Sequence, residues 1–360
     1  TTGNILSLKD KHMRITSMKH VALTFPFFFL SAFLLSLSAC SDGPPEKVLS
    51  EKPSTQQKAA VPTTAKTTKV LYVDSYHAEY APNPIMHRAA RKILEPAGVT
   101  MREIYMDAKR KKGDALQQAE ALKVKDLIET WQPDLVIAAD DAASKYLVMP
   151  YYRDAGLPFV FIGVNWDATH YEYPYSNVTG QVEVELIADL LSEIKKYTAG
   201  TRIGILTGDT LTDRTTIKHY NEVMGIQFDE TWLVNTFDEW KETYLVMQNE
   251  VDALFVRNYS GIKDWDDEEA KRIIMNYTTI PTGAVTSHMA PFVLINFAKD
   301  KREFGEYAAH TALKILNGTS PADIPLTTNQ EARIFLNMPL AKKLDITFPI
   351  QLINIAHFTE

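Results

Sequence analysis

The sequence is nearly free of cysteine and carries no surplus of positive charge. Cys40 is the single cysteine among 360 residues, so no disulfide can form within the chain. Its stability must therefore come from an ordinary hydrophobic core. Lysine and arginine number 38 against 45 aspartates and glutamates, a formal net charge of −7. That balance argues against nucleic acid as a partner.

Familiar catalytic and metal-binding motifs are also missing. There is no G-x-S-x-G, no H-E-x-x-H and no glycine-rich dinucleotide loop, and the nine histidines are scattered rather than set at ligand spacing. We therefore expect no catalytic residues, no metal site and no cofactor. An exported enzyme is the weakest of three functional classes, and it would show itself by returning a chemically changed ligand.

The long apolar run lies at residues 21–39, after a basic region. By length it is sufficient for a membrane-spanning helix. It ends, however, in Leu37-Ser38-Ala39-Cys40, which resembles a bacterial lipobox, whose cysteine is lipidated and becomes the mature amino terminus. A membrane anchor with an incidental cysteine is the alternative. We expect residues 1–40 to be a lipoprotein signal peptide, starting at Met18, with Cys40 as the lipid attachment site.

Residues 41–68 are rich in Pro, Lys, Thr, Ser, Gln and Ala and show no apolar periodicity. This composition is typical of a flexible tether. A tether of this length behind a lipidated cysteine would hold an exported domain near a membrane. About 290 residues follow, which is enough for two lobes of ordinary domain size.

Apolar strands alternate with amphipathic helices along those residues. The first strand, 69–73, is a continuous apolar run rather than an alternating one, which favours a strand covered by helices on both faces. The pattern repeats to about residue 177 and then restarts. It predicts an α/β fold of two doubly wound parallel-sheet lobes joined by a hinge, with right-handed crossovers.

Polar and aromatic residues follow these strands, at the edge where open α/β sheets bind ligands. The candidates of the first lobe are Ser75, Tyr76, His77, Asp107, Asp140, Asp141, Asn165 and Trp166. Those of the second lobe are Asp209, Thr210, Arg257, Asn258, Tyr259, Ser287 and His288. We expect the two sets to face each other across one ligand-binding cleft.

Each candidate also has a local structural explanation. Asp141 would cap a helix beginning at Ala142, and Asp213 would cap its own helix. In the functional interpretation, aromatic residues such as Tyr76 enclose the apolar part of a ligand. Arg257 takes a carboxylate, and Asp140 or Asp209 takes an ammonium group. This pattern predicts an amino-acid-like ligand, although a sugar site would use the same residue types.

Several stretches resemble the ABC-transporter substrate-binding proteins with a type I periplasmic-binding fold, in particular the branch shared with bacterial sensor domains. The matching stretches are 74–77, 105–110, 133–142, 158–165, 177–180, 315–318 and 322–326. The resemblance covers about residues 68–350 and is looser from 213 to 279.

The resemblance implies two lobes joined by three crossings that close on a small ligand, and some members bind aromatic amino acids. It places lobe 1 at 68–177 plus 292–322, and lobe 2 at 178–291 plus 323–360. Residues 286–291 depart from the usual pattern and are left open as either hinge or binding loop.

The function implied is that of an exported, lipid-anchored solute-binding monomer facing the periplasm or cell exterior, which passes a small molecule to the membrane permease of an ABC transporter. The alternative is a ligand-sensing subunit that acts in trans on a signalling receptor or kinase. The ligand, the cognate permease and the choice of inner or outer membrane stay open.

Overall fold

The computed structural model describes residues 67–80 and 82–359. The expected signal peptide, Cys40 and the tether as far as residue 66 lie outside the described residues. Among the helices that are described, none combines the length and the apolar character that a membrane crossing requires.

The first part of the chain alternates strands with helices, as the apolar pattern predicts. Its elements are β1 Thr68–Asp74, α1 Asn83–Leu94, β2 Val99–Tyr105, α2 Asp114–Trp131, β3 Leu135–Ala139, α3 Asp140–Ala143, α4 Met149–Tyr151, β4 Phe159–Asn165 and β5 Val178–Glu183. A π-helical turn at Ser144–Val148 joins α3 to α4, and a 3₁₀ helix spans Ala168–Tyr171.

The second part continues the alternation and ends in shorter elements. It contains α5 Ile187–Ile194, β6 Ile203–Gly208, α6 Leu211–Glu222, β7 Glu230–Val234, α7 Phe237–Glu250, β8 Ala253–Asn258, α8 Asp267–Tyr277, β9 Thr282–Ala284, β10 Ile295–Lys299, α9 Lys301–Leu316, β11 Thr327–Thr328, β12 Ala332–Asn337, α10 Met338–Lys343, α11 Ile350–Ile353 and β13 His357–Thr359. Short 3₁₀ helices lie at Lys195–Tyr197, Ser287–Phe292 and Pro321–Asp323.

The strands form two sheets, which confirms the predicted α/β class. The first has the order β11-β5-β4-β3-β1-β2 and is parallel throughout. The second has the order β13-β12-β10-β9-β8-β6-β7, and β10 with β12 is its antiparallel pair. We call each sheet, with the helices that pack on it, the first lobe and the second lobe.

The unbroken apolar run of β1 has a direct explanation in the core. Val70 and Tyr72 join a buried cluster on one face of the first sheet, and Leu71 and Val73 join the cluster on the other. Successive side chains of a strand point to opposite faces, so a strand with both faces covered is apolar at every position.

The chain passes between the two sheets three times. It leaves the first sheet after Glu183, returns from the second sheet between Lys299 and Lys301, and leaves the first sheet again after Thr328. The returning helix α9 packs closely on α1: a Cβ on Gly305 would lie 2.1 Å from the carbonyl oxygen of Met86.

These crossings correct the expected lobe boundaries, which lay before residues 178, 292 and 323. The strand β5 belongs to the first sheet because all six of its residues are buried there beside β4. At Gly180 the two strands are so close that a Cβ would lie 2.3 Å from the carbonyl oxygen of Phe161. The strand β10, by contrast, pairs with β9 and β12 of the second sheet.

Candidate functional site

A cavity of about 580 Å³ opens at the carboxyl ends of strands from both sheets. It is bounded by the loop after β1, the loop after β9, the end of β5 and the crossing from β10 to α9. The lining residues are Tyr80, Pro82, Ile85, Glu183, Val285, Thr286, Ser287, His288, Ala298, Lys299, Asp300, Lys301, Arg302 and Arg333. Apolar, anionic and cationic side chains therefore meet in one space beside two of the chain crossings.

A buried carboxylate with two lysines forms the electrostatic centre of this cavity. Glu183, at the end of β5, lies 2.5 Å from Lys299 Nζ and 2.8 Å from Lys301 Nζ. Burial raises the pKa of Glu183, but the two ammonium groups outweigh it and hold the pKa at about 2. Because Lys299 ends β10 and Lys301 begins α9, this triad ties two chain crossings together.

Two further cations lie on the same wall. Arg302 pairs with Asp300, with nitrogen–oxygen distances of 2.5 to 3.2 Å, while Asp300 also caps α9 through the Arg302 backbone N–H. Arg333 is exposed and lies over the ring of Phe335. The second crossing thus presents a run of charged groups to the cavity.

Asp140 is the predicted residue that stands out at the edge of the first sheet. It follows β3 directly and adopts the left-handed conformation with φ 68°, which is uncommon for a residue other than glycine. Within the residues that the structure describes, its carboxyl group makes no hydrogen bond or ion pair. Burial and the charge of Glu183 raise its pKa well above the ordinary value, although Lys301 acts in the opposite direction.

Tyr76 and Tyr80 lie together in the loop after β1, with ring centroids 4.7 Å apart in an edge-to-face arrangement. The ammonium of Lys109 lies over both rings, 4.6 Å from the centroid of Tyr76 and 4.7 Å from that of Tyr80. Burial, then the charges of Asp140 and Asp141, raise the pKa of the Tyr76 hydroxyl. Tyr76 therefore lies in a negative field, next to the cavity wall formed by Tyr80.

Other predicted residues of the first lobe bind one another. His77 Nδ1 lies 3.6 Å from Asp107 Oδ1, whose other neighbour, Arg110, lowers the pKa of Asp107. Asp141 accepts a hydrogen bond of 3.0 Å from Asn165. The first contact joins the loop after β1 to the loop after β2. The second joins the segment after β3 to the end of β4.

Asp141 is not the helix cap that the sequence suggested. The helix α3 starts one residue earlier, at Asp140, and its cap position is Ala139, which offers no side-chain hydrogen bond. The second oxygen of Asp141 accepts from the hydroxyl of Tyr171, so the carboxylate holds the 3₁₀ helix after β4 instead. Asp213 does not cap its helix either. Thr210 is the cap of α6, and its hydroxyl accepts a hydrogen bond from the backbone N–H of Asp213.

Ser75 and Trp166 are used within the protein. The Ser75 hydroxyl donates to the carbonyl oxygen of Ala139 at 2.5 Å and accepts from the N–H of Ala143. Trp166 crosses to the second lobe, where it stacks on His219 with ring centroids 5.4 Å apart and an interplanar angle of 4°. Ser75 therefore joins β1 to α3, and Trp166 forms a contact between the lobes rather than an open stacking surface.

Arg257 corrects the strongest electrostatic prediction for the second lobe. Its side chain is 6% exposed, and it pairs with Asp213 and, at 3.2 Å, with Glu185. Thr216 accepts a further hydrogen bond at 3.1 Å. The guanidinium is therefore neutralised inside the second lobe and does not lie open to a ligand carboxylate.

The remaining second-lobe candidates also have partners. Asp209 forms a two-bond pair with Arg214 at 2.6 and 2.7 Å, and Thr210 bonds Asp213. Asn258 Oδ1 lies 2.9 Å from His288 Nε2, and Tyr259 stacks on Trp265 with centroids 4.7 Å apart. The side chains at the strand ends of the second lobe are therefore hydrogen-bonded, ion-paired or stacked with partners in the same lobe.

Ser287 and His288 are the predicted residues that line the cavity. They belong to a 3₁₀ helix after β9, and none of the three crossings runs through residues 286–291, so this segment contributes cavity wall at 286–288 rather than a connection between the sheets. Burial and the charge of Arg257 lower the pKa of His288, which keeps its imidazole neutral near pH 7.

The sequence argument missed the groups at the second crossing. Glu183, Lys299, Lys301, Arg302 and Arg333 line the cavity but were not candidates. The signal was present, because Lys299-Asp300-Lys301-Arg302 follows an apolar strand just as the other candidates do. Among the described residues, no group of three or more His, Cys, Asp or Glu side chains is placed to hold a metal ion.

Comparison with known proteins adds one family and a set of folds. A family model described as ABC transporter substrate binding protein matches residues 92–359. Comparison with curated proteins finds no match. The chain is similar to the open, ligand-free structure of a substrate binding protein with adhesive properties from Clostridium difficile, with 16% identity, a TM-score of 0.63, and 81% of this chain and 99% of that chain covered.

Two further solved structures are similar at lower scores. One is an ABC domain in complex with L-Trp from Streptococcus pneumonia, with 19% identity, 81% and 99% coverage and a TM-score of 0.48. The other is an ABC sugar transporter subunit from Rhodobacter sphaeroides, with 15% identity, 74% and 98% coverage and a TM-score of 0.44. At these identities and scores they carry no argument about the ligand of this chain.

Proposed function

Because the chain belongs to the family of ABC transporter substrate-binding proteins, we propose that it captures a small, amino-acid-like ligand between its two lobes and delivers it to a membrane permease. Proteins of this family bind and release their ligand without changing it, and the same is proposed here.

The observation that carries this proposal is the cavity at the carboxyl ends of both sheets. Its volume of about 580 Å³ suits a small molecule. Its walls come from both lobes and from two of the crossings, so a ligand held there would touch both lobes at once. Binding energy could then stabilise a closed arrangement of the lobes by a hinge motion.

Groups of both signs near the cavity support a zwitterionic ligand. Asp140 has a carboxyl group without a partner in the described part of the chain, and a ligand ammonium would supply one. Arg333, exposed on the cavity wall, offers a cation to a ligand carboxylate. Lys301 and Arg302 are already paired with Glu183 and Asp300, as Arg257 is with Asp213 and Glu185. Charge pairs formed in a closing cleft gain strength as water is excluded.

Export and anchoring are proposed from the sequence. Lipidation of Cys40, after removal of residues 1–39, would place the two-lobe monomer outside the cytoplasm on a membrane tether. A Cys40→Ser variant should then accumulate as the unprocessed precursor and take up no labelled palmitate. Unchanged acylation of that variant would contradict the anchor while leaving the binding function untouched.

The binding function is tested by finding the ligand. Native mass spectrometry of the purified protein should reveal a small molecule that survives purification. In a thermal-shift screen of amino acids, small peptides and sugars, we expect one class to raise the melting temperature, because a ligand that binds only the folded state stabilises it by mass action.

Small-angle scattering supplies the structural counterpart. The stabilising ligand should reduce the radius of gyration as the lobes close on it. A ligand that raises the melting temperature without any compaction would overturn capture between the lobes. A screen in which no class stabilises the protein would overturn the proposed ligand class.

A further inference from the structure

Lys109 makes a pair of contacts that are unusual for a lysine on an exposed loop. Its ammonium lies over Tyr76 and Tyr80 at 4.6 and 4.7 Å from the ring centroids. It makes no ion pair with a carboxylate among the described residues, although Asp107 is two residues away and pairs with Arg110 at 2.7 Å. The two rings therefore hold a cation in a region where carboxylates are also near.

The physical basis is the charge distribution of the rings together with their surroundings. An aromatic face carries negative potential, and a cation within about 6 Å of the centroid is attracted to it. Two rings that meet edge to face, 4.7 Å apart, present such surfaces to one ammonium.

Carboxyl groups lie close to these rings. After burial, Asp140 and Asp141 act to raise the pKa of the Tyr76 hydroxyl. Glu183 is countered by Lys299 and Lys301, and Asp141 by hydrogen bonds only, whereas Asp140 has no partner within the described residues. The rings therefore lie beside carboxyl groups, one of which has no partner among the described residues, and the ring geometry itself attracts the cation.

We propose that Tyr76 and Tyr80 form a cation subsite of the ligand cleft, which takes an alkylammonium group, and that Lys109 is an internal competitor for it. Tyr80 links the subsite to the cavity because it lines the cavity wall. The inference rests on the proposed function and deepens it: the ligand carries a positive group, and its ammonium must displace that of Lys109. Methylated ammonium groups suit the subsite best, since they lose little hydration on an aromatic surface.

Tetramethylammonium chloride is the probe, titrated into the purified full chain by calorimetry at constant ionic strength with sodium chloride as the balancing salt. In Lys109→Met the rings are free of their own cation, so the affinity for the probe should rise about two- to fivefold, as expected for an exposed cation–aromatic contact. Lys112→Met is the matched control, because Lys112 is an exposed lysine of the same loop. Its affinity should equal that of the wild type.

The aromatic requirement is tested in the Lys109→Met background. Adding Tyr80→Leu should remove the gain, whereas Tyr80→Phe, which keeps the ring, should retain it. Equal probe affinities in the wild type and Lys109→Met, or a gain that survives Tyr80→Leu, would overturn the subsite. Absence of any probe binding in Lys109→Met would do the same.

These outcomes separate the subsite from the proposed function. If the probe behaves as described but no ligand compacts the protein, capture between the lobes is wrong and the subsite stands alone. If a ligand stabilises and compacts the wild type, Lys109→Met and the Tyr80→Leu double variant equally, the cleft function stands and the cation subsite is wrong.

Discussion

The carboxyl ends of the strands in the two lobes carry similar residues but use them differently. In the second lobe, Arg257 is neutralised by Asp213 and Glu185, and Asp209 is held by Arg214. In the first lobe, the carboxyl group of Asp140 has no such partner among the described residues, and Tyr76 faces the ammonium of Lys109. Arg257 and Asp209 are therefore held by their own lobe, whereas Asp140 and Tyr76 keep groups that no carboxylate or guanidinium of the described residues occupies.

This difference shows that the position of a side chain at a strand end and its availability to a ligand are separate properties. A strand end places a side chain at the ligand-binding edge of a parallel sheet. Whether the side chain can bind a ligand depends on what the neighbouring helix supplies. In the second lobe, α6 supplies Arg214, which pairs with Asp209 after β6, and Asp213 and Thr216, which bind Arg257 near the end of β8.

The largest expected effect tests the structural role of Arg257 at the second-lobe edge. Replacing Arg257→Met leaves Asp213 and Glu185 buried without their cation, which should lower the free energy of unfolding by about 3 to 5 kcal/mol. Chemical denaturation measures this loss. A folded Arg257→Met protein with near wild-type stability and greatly weakened ligand binding would reverse the assignment and return Arg257 to the binding site.

The second effect concerns Glu183, which joins the lobes at two crossings. Its pKa is held at about 2, below the ordinary 4.5. A carboxyl group with a depressed pKa stabilises the folded state above its unfolded pKa and loses that contribution as the pH falls toward the folded pKa. The contribution should therefore be about 3 kcal/mol at pH 7 and fade between about pH 4.5 and pH 2.

Glu183→Gln sharpens this prediction. The variant should be less stable than the wild type at pH 7, and the difference should shrink steadily in urea titrations repeated toward pH 3. A difference that stays constant with pH would mean that the charge of Glu183 contributes nothing and that the loss comes from packing.

A smaller effect is expected at the exposed pair of the second-lobe edge. Asp209 and Arg214 are 22% and 37% exposed, so solvent screens their attraction. Asp209→Asn should lower the free energy of unfolding by less than about 1 kcal/mol. A loss as large as that of Arg257→Met would show that this pair belongs to the same buried network.

Much of the fold follows from the sequence because it depends on local pattern. The unbroken apolar run of β1 is set by its residue pattern, and it matches the structure. The boundaries between the lobes do not follow from the sequence, because the residue pattern of β5 would suit a strand of either sheet. Its position beside β4 involves a close contact between Gly180 and Phe161, which local sequence does not reveal.

The strand-end rule could select residues at the edge of each sheet but not their pairing. Of the residues it selected, Ser287 and His288 line the cavity. It also selected Arg257, because nothing local reveals that Glu185, 72 residues earlier, reaches its guanidinium. It did not select Lys301, whose partner Glu183 lies 118 residues earlier. Long-range ion pairs are fixed by packing, which a single sequence does not display.

The central claim is that Asp140, at the first-lobe edge, is available to the ligand while Asp209, at the second-lobe edge, is structural. Calorimetric titration of Asp140→Asn and Asp209→Asn against the ligand found by native mass spectrometry tests it most directly, because each residue follows a strand but only Asp209 has an internal cation. We expect Asp140→Asn to weaken binding at least about tenfold, as for the loss of one charge-assisted contact, and Asp209→Asn to bind like the wild type. Normal binding by Asp140→Asn, with lost binding by Asp209→Asn, would contradict the account.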